Sequence, residues 1–351
     1  MSDFDPHNVD LDNVDPTEII CYLNSGGNEY DGRLGARISA IFVILIVSSA
    51  ATFFPVLAKR SPHLRIPLYV YLFARYFGAG VIIATGFILL LDPAYSEIGP
   101  ATCVGMTGHW ADYSWCPAIV LTSLMVIFLL DFGAERYVEK KYGLYRDDPE
   151  PIMASGVEAH SQSTPAYNAK DKLATEVEAQ SLDEGQLERS FRQQIAAFLI
   201  LEFGVIFHSV IIGLMLGVTG SEFATLYPVL VFHQSFEGLG IGARMSAIPF
   251  KKGSWLPWAL CTAYGLTTPI SIAIGLGVRT TYNPNSFTAN VVSGVLDSIS
   301  AGILIYTGLV ELLARDFMFD PQRTKDDKRL TFMVVSLLLG AGIMALLGKW
   351  A

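Results

Sequence analysis

Residues 201–217 read LEFGVIFHSVIIGLMLG, and they lie inside a longer apolar run near residues 195–218. A helix that crosses the hydrocarbon core of a bilayer needs about 20 mostly apolar residues, so this run predicts a transmembrane helix. Three polar side chains interrupt the run, those of Glu202, His208 and Ser209. The stretch therefore indicates a membrane fold with polar groups placed inside the membrane.

The composition of the whole chain agrees with a membrane protein. Of its 351 residues, 52% are hydrophobic and 16% are charged, and the mean hydropathy is +0.42. Soluble globular domains carry about 25% charged residues, so this chain has too few to cover a water-exposed fold. A soluble enzyme is therefore excluded. The 24 Lys and Arg residues against 33 Asp and Glu also argue against a nucleic-acid partner.

Seven further apolar runs lie on either side of the first one. The eight candidate spans lie near residues 36–58, 68–91, 118–133, 195–218, 225–247, 256–278, 290–313 and 330–348. They predict an all-α membrane protein, folded as a bundle of eight transmembrane helices.

The distribution of Lys and Arg predicts the orientation of this bundle. Nineteen of the 24 lie in the connections from odd to even spans, Arg75 lies within the second span, and the other four lie on the opposite side: Arg33, Arg37, Arg279 and Lys349. The positive-inside rule then places both termini outside the cytosol. We expect four regions: an acidic extracytoplasmic tail (1–33), spans one to three (34–133), a cytosolic and largely disordered loop (134–194), and spans four to eight (195–351).

The cysteines suggest a disulfide on the outer side. Cys103 and Cys116 share the loop between the second and third spans, which faces an oxidising compartment in a surface membrane. We therefore predict a disulfide between them. Cys21 in the outer tail is a third candidate partner, which leaves other pairings open.

The fourth and fifth spans carry the polar residues that most need an explanation. An ionisable side chain at the centre of a bilayer costs about 2.5–3.5 kcal/mol, which makes it a candidate for function. The fifth span contains VFHQSFEGLGIGARM (231–245), in which His233 and Glu237 are four residues apart and share a helix face. With His208 they form a mixed nitrogen and oxygen set that suits Zn²⁺ and also admits Fe²⁺ or Mn²⁺.

The simpler interpretation of these residues is structural. Each His could hydrogen-bond a neighbouring helix, and Glu237 could pair with Arg244 further along the same span. The glycines of the fifth span also have a structural role, since small residues let transmembrane helices approach closely. Two His and one Glu on adjacent spans favour metal binding over this alternative.

Other carboxylates mark a candidate pathway to the site. Asp92 lies near the end of the second span, and Asp297 lies in the seventh. Glu202 lies six residues before His208, about 120° away around the helix, so we expect it to serve another part of the pathway or a helix contact. The sequence contains no metalloprotease, serine-hydrolase or phosphate-binding motif, which argues against an enzyme.

These segments resemble a known family. EFGVIFHSVIIGLMLG and FHQSFEGLGIGARM, followed by GLTTPISIAIGLGVR and DSISAGILIYTGLVELLA, are similar to the ZIP family of metal-ion transporters, in particular its fungal plasma-membrane zinc-uptake branch. The resemblance implies an eight-span bundle with both termini outside and a transport site between spans four and five. The metal contacts that it implies are His208, Ser209, His233, Gln234 and Glu237. One departure is Leu89 in GFILLLDPAY, where the family usually has a His.

We therefore predict a plasma-membrane carrier that imports Zn²⁺ as its substrate and has no prosthetic group. An Fe²⁺ or Mn²⁺ carrier remains open, and so does a zinc-sensing membrane receptor without flux, which the loss of a His at Leu89 would fit. The expected partners are the divalent metal ion and the lipid bilayer. A homodimer and regulatory modification of the cytosolic loop, at Lys170 or Lys172, also remain open.

Overall fold

The computed structural model describes residues 13–24, 30–61, 66–142, 169–251, 253–319 and 324–350. All regular secondary structure in these ranges is helical, which confirms the prediction of an all-α protein. The elements in chain order are α1 (Pro16–Asn24), α2 (Leu34–Arg60), α3 (Leu68–Ala84), a π-helical segment (Thr85–Leu91), α4 (Asp92–Ile98), a short 3-10 helix (Gly108–Trp110), α5 (Trp115–Tyr142), α6 (Ala169–Val218), α7 (Phe223–Ala247), α8 (Leu256–Val278), α9 (Phe287–Tyr306), a second π-helical segment (Thr307–Phe319) and α10 (Asp327–Leu347).

In the described ranges, seven helical stretches are long and apolar enough to cross a membrane. They coincide with seven of the eight predicted spans, and two of them, Leu68–Ile98 and Phe287–Phe319, include the π-helical segments. The predicted fifth span is α7, which is 25 residues long but is less apolar because it carries His233, Gln234 and Glu237. The count of eight spans and the orientation of the termini remain predictions.

The chain divides into two compact units, Met1–Phe128 with Ala197–Ala351, and Leu129–Ala196. The second unit falls largely within the predicted loop, 134–194. Helix extends into that loop from both sides, since α5 ends at Tyr142 and α6 begins at Ala169. The rest of the loop, 143–168, lies outside the described residues.

Within the first unit, the helices that flank α7 approach it at glycines. α2 packs against α7 and α8, while α3 packs against α7 and α10. Where α3 crosses α7, a Cβ added at Gly240 would lie 2.7 Å from the Cα of Gly78. Because carbon atoms do not approach so closely, both positions need glycine for this crossing. Nearby, the rings of Phe77 and Phe236 meet edge to face at 5.2 Å.

A buried arginine holds the end of α6. The side chain of Arg37 on α2 is fully buried, and its Nη1 donates to the carbonyl of Leu216 at 3.1 Å. Its Nη2 donates to the carbonyl of Thr219 at 2.5 Å and to Asp31 Oδ1 at 2.9 Å. The last carbonyls of a helix have no partner within the helix, so Arg37 satisfies groups that would otherwise be buried unpaired. It thereby fixes one end of the helix that carries His208.

The disulfide joins Cys21 to Cys103, so the predicted pairing of Cys103 with Cys116 is wrong. Cys116 is the second residue of α5 and is 1% exposed. It packs with Ala94 and Ile98 of α4, and the Ser298 hydroxyl donates to its Sγ at 3.5 Å. The sequence suggested a loop position for Cys116, whereas the structure places it in the core. The disulfide links α1 to the loop that follows α4.

Candidate metal site between α6 and α7

Two histidines face each other inside the first unit. His208 on α6 is 3% exposed and His233 on α7 is 1% exposed. Their Nε2 atoms lie 3.3 Å apart, and the ring centroids lie 5.2 Å apart. The structure thus brings together the two imidazoles that the sequence singled out.

A carboxylate lies next to this pair. Glu237 is one helical turn after His233, is fully buried, and places Oε2 at 3.7 Å from His233 Nε2. The structural alternative paired Glu237 with Arg244, but Arg244 instead lies 3.5 Å from Glu311. Glu237 therefore lies beside His233 and is not the ion-pair partner of Arg244.

Helix α8 adds two residues that the sequence interpretation missed. The Tyr264 hydroxyl lies 2.7 Å from Gln234 Oε1 and 3.2 Å from Glu237 Oε2, and it can donate to either. Gln234 Nε2 donates to Thr268 Oγ1 at 2.7 Å. Tyr264 and Thr268 are four residues apart, so both lie on one face of α8, and that spacing was the available signal. They orient the polar side chains of α7.

Several buried polar atoms of the site have no hydrogen-bond partner in the described part of the chain. They are Ser209 Oγ, His233 Nδ1 and Glu237 Oε1. Buried polar groups are usually paired, because leaving one unpaired costs about 1–3 kcal/mol. No group of three or more His, Cys, Asp or Glu side chains among the described residues is already gathered as a metal cluster. The described site therefore has two imidazoles in contact and, next to them, polar atoms without a hydrogen-bond partner that could bind an ion.

A cavity of about 420 Å³ leads away from His208. It runs past Met215 to Thr219 and Glu222, in the connection between α6 and α7, and Leu89 lies on its wall. This connection lies on the side where the charge distribution places the extracytoplasmic space. The cavity therefore joins His208 to the predicted outer face.

The three predicted pathway carboxylates lie in different places. Asp297 is 4% exposed and lines the cavity together with His208. Asp92 is exposed and is not among the lining residues. Glu202 is 3% exposed, also lies off this cavity, and has no hydrogen-bond partner on either carboxylate oxygen within the described ranges. Of these three carboxylates, only Asp297 lines the cavity together with His208.

Comparison with known proteins shows the family to which the chain belongs. The sequence model described as ZIP zinc transporter matches residues 34–348. Zinc-regulated transporter 1 of Saccharomyces cerevisiae is 57% identical over 99% of this chain and 97% of its own length. Zinc-regulated transporter 1 of Schizosaccharomyces pombe is 42% identical over 92% and 87%, respectively, and zinc-regulated transporter 2 of Saccharomyces cerevisiae is 34% identical over 98% and 100%.

These matches confirm the predicted resemblance, including its fungal branch, and confirm that the chain is not an enzyme, since the family consists of carriers. The apolar helices agree with a multi-pass membrane protein. The family match covers α2 to α10 and so includes both helices of the histidine site. The chain belongs to the ZIP zinc transporter family.

Proposed function

We propose that the protein carries Zn²⁺ across the plasma membrane into the cytosol, through the site between α6 and α7. The observation that supports this proposal best is the 3.3 Å separation of His208 Nε2 and His233 Nε2. Two nitrogen ligands at about 2.0–2.1 Å from one tetrahedral Zn²⁺ are about 3.3–3.4 Å apart. The imidazoles therefore need little movement to share one ion.

Glu237 would be the third protein ligand of the ion. Its Oε2 is 3.7 Å from His233 Nε2, which is within a few tenths of an ångström of the spacing in a tetrahedral site. Its charge offsets part of the positive charge of the ion in a region that water does not solvate. Ser209 Oγ and Gln234 Oε1 are the remaining donors, and binding through Gln234 would compete with its contact to Tyr264.

The charge distribution supports inward transport. Most Lys and Arg residues lie in the odd-to-even connections, so the positive-inside rule favours both termini outside and a cavity that opens outward in an eight-span bundle. The names of the relatives, and the resemblance to fungal zinc uptake, support zinc as the substrate and the plasma membrane as the location. Alternating access of the site to the two sides completes the transfer.

Uptake of zinc by purified protein in liposomes tests the proposal. We expect His208→Ala and Glu237→Ala to lower the initial rate of zinc uptake by more than about tenfold. Each change removes a direct metal ligand, and loss of a residue that only hydrogen-bonds a ligand already costs about tenfold in metal affinity or activity. His109→Ala is the matched control, since this His lies exposed in the outer loop. Uptake by the two site variants at the parental rate, with normal insertion, would overturn the proposal.

The same assay separates the alternatives. Nitrogen and oxygen ligands do not by themselves distinguish Zn²⁺ from Fe²⁺ or Mn²⁺, so competition is needed. Suppression of zinc uptake by excess Fe²⁺ or Mn²⁺ would favour a carrier for those metals. Zinc binding without any flux would favour a membrane receptor.

A further inference from the structure

The cavity beside His208 contains two carboxylates that the histidine site does not use. Glu97 of α4 and Asp297 of α9 both line it. The sequence analysis assigned Asp297 to the pathway only in general terms, and it did not single out Glu97. Their position in one cavity is a property of the tertiary structure, since they lie on helices far apart in the chain.

Asp297 is buried with an oxygen that nothing in the described structure satisfies. Its side chain is 4% exposed, and Oδ1 has no hydrogen-bond partner among the described residues. A buried carboxylate is costly unless it is paired or binds a cation. Because Asp297 lines the cavity, a cation that enters the cavity can reach it.

Glu97 lies on α4, which packs against α9, the helix that carries Asp297. A Cβ added at Gly294 would lie 3.2 Å from the Cβ of Glu97, so the two helices are in close contact one turn before Asp297. Both carboxylates line the same cavity, in which Glu97 is partly buried. Its Oε2 is also buried without a partner within the described ranges.

Two carboxylates that share a buried cavity repel each other when both are ionised. A divalent cation between them removes this repulsion and supplies the missing partner to both open oxygens. The acidic residues that line the cavity differ in exposure, since Glu222 is exposed, Glu97 is partly buried and Asp297 is buried. His208, which lines the same cavity, is 3% exposed.

We propose that Glu97 and Asp297 form a second cation site, an outer acidic pair that takes up the divalent ion before it reaches His208, His233 and Glu237. The role of the pair in transport rests on the proposed function, whereas its ability to bind an ion does not. The pair partly replaces the hydration shell of the ion with carboxylate oxygens. The ion then moves to the imidazole nitrogens, which suit Zn²⁺ better than oxygen alone.

Zinc binding to the full-length protein in detergent tests the site directly. In a His208→Ala, His233→Ala, Glu237→Ala background, which removes the three inner ligands, we expect zinc to bind still. Adding Asp297→Asn, which keeps the shape of the side chain, is expected to remove one bound ion per chain. Asp297→Glu restores the charge and is expected to recover binding. The thermal melting of each variant shows whether it is folded.

Uptake in liposomes tests the role in transport. Glu97→Gln and Asp297→Asn are expected to raise the zinc concentration for half-maximal uptake by about tenfold or more, with a smaller effect on the maximal rate. Asp112→Asn is the matched control, because it removes the same charge from an exposed side chain of the outer loop.

The proposed acidic site would be contradicted if Glu97→Gln and Asp297→Asn left unchanged both the number of zinc ions bound and the zinc concentration for half-maximal uptake. A shift in the pH dependence of uptake in these variants, with zinc binding unchanged from the parent, would also contradict the proposal. The two carboxyls would then share a proton and not a metal ion. If the parent protein shows no uptake in liposomes, the proposed function fails, and the binding stoichiometry still decides whether the acidic pair is a site.

Discussion

Leu89 shows how much one side chain can decide in this cavity. It is 6% exposed, lies on the cavity wall together with His208, and packs on its other side against Val81 and Met344. A leucine at this position offers no ligand to a passing ion. The same cavity is also lined by Glu97 and Asp297, whose carboxylate oxygens are donors in place of the missing imidazole.

Replacing Leu89 with His is therefore an informative change. We expect Leu89→His to lower the zinc concentration for half-maximal uptake, because it adds a nitrogen donor to the wall. We also expect a lower maximal rate, because an ion that is bound more tightly on its path leaves more slowly. Initial rates in liposomes over a range of zinc concentrations measure both effects. Leu89→Met, which conserves volume, should behave like the parent, and identical curves for all three proteins would contradict the prediction.

At the scale of elements, different residues of α7 serve helix packing and the candidate metal site. Its glycines meet the neighbouring helices: a Cβ at Gly238 would lie 2.7 Å from Thr52 Oγ1 on α2, and Gly240 crosses α3 at Gly78. His233 and Glu237 on the same helix lie next to His208 and Tyr264. Close packing of the glycines therefore sets the position of the helix, and with it the distance between the two imidazoles.

A methyl group added where α3 crosses α7 tests whether the site depends on this close packing. Gly240→Ala would force α3 and α7 apart, and we expect a loss of about 1–3 kcal/mol in stability, as is usual for overpacking. Thermal melting in detergent measures the loss, and zinc uptake should fall with it. Gly342→Ala on α10 is the control, because a Cβ there meets nothing within 4 Å. Equal melting temperatures for the two variants would show that the crossing is not tight.

At the scale of the whole molecule, the disulfide bears on the orientation. Cys21 and Cys103 lie in regions that the charge distribution places outside, and the structure joins them. Such bonds persist in oxidising compartments, which agrees with an outer location. Cys116 and Cys261 are buried free thiols, whereas Cys21 and Cys103 form a disulfide. A thiol-reactive reagent can therefore distinguish the two pairs.

Labelling of intact cells tests the predicted topology. We expect a membrane-impermeant maleimide to label the protein only after mild reduction, which frees Cys21 and Cys103 at the outer surface. Cys116 and Cys261 should stay unlabelled because they are buried. The Cys21→Ser, Cys103→Ser double variant supplies the control and should show no labelling. Labelling that requires permeabilised cells would reverse the assigned orientation.

Both the correct and the wrong sequence predictions have physical reasons. The apolar runs were found because hydrophobicity along a membrane helix is a local property. His208, His233 and Glu237 stood out because each is costly in lipid unless it has a function or a partner. Cys116 was misassigned because it lies where a loop passes into α5, and its burial depends on α4. Glu97 was passed over because a carboxylate near the end of a span resembles an ordinary solvated residue.

By itself, the sequence determined the all-helical membrane fold, the family and the identity of the polar residues on α6 and α7. These properties depend on residue type and on spacing along one helix. Only the tertiary structure decided that the imidazoles face each other at 3.3 Å, that Tyr264 reaches Gln234, and that Glu97 and Asp297 share a cavity with His208. Such distances join residues on different helices, so they follow from how those helices pack and not from any one segment.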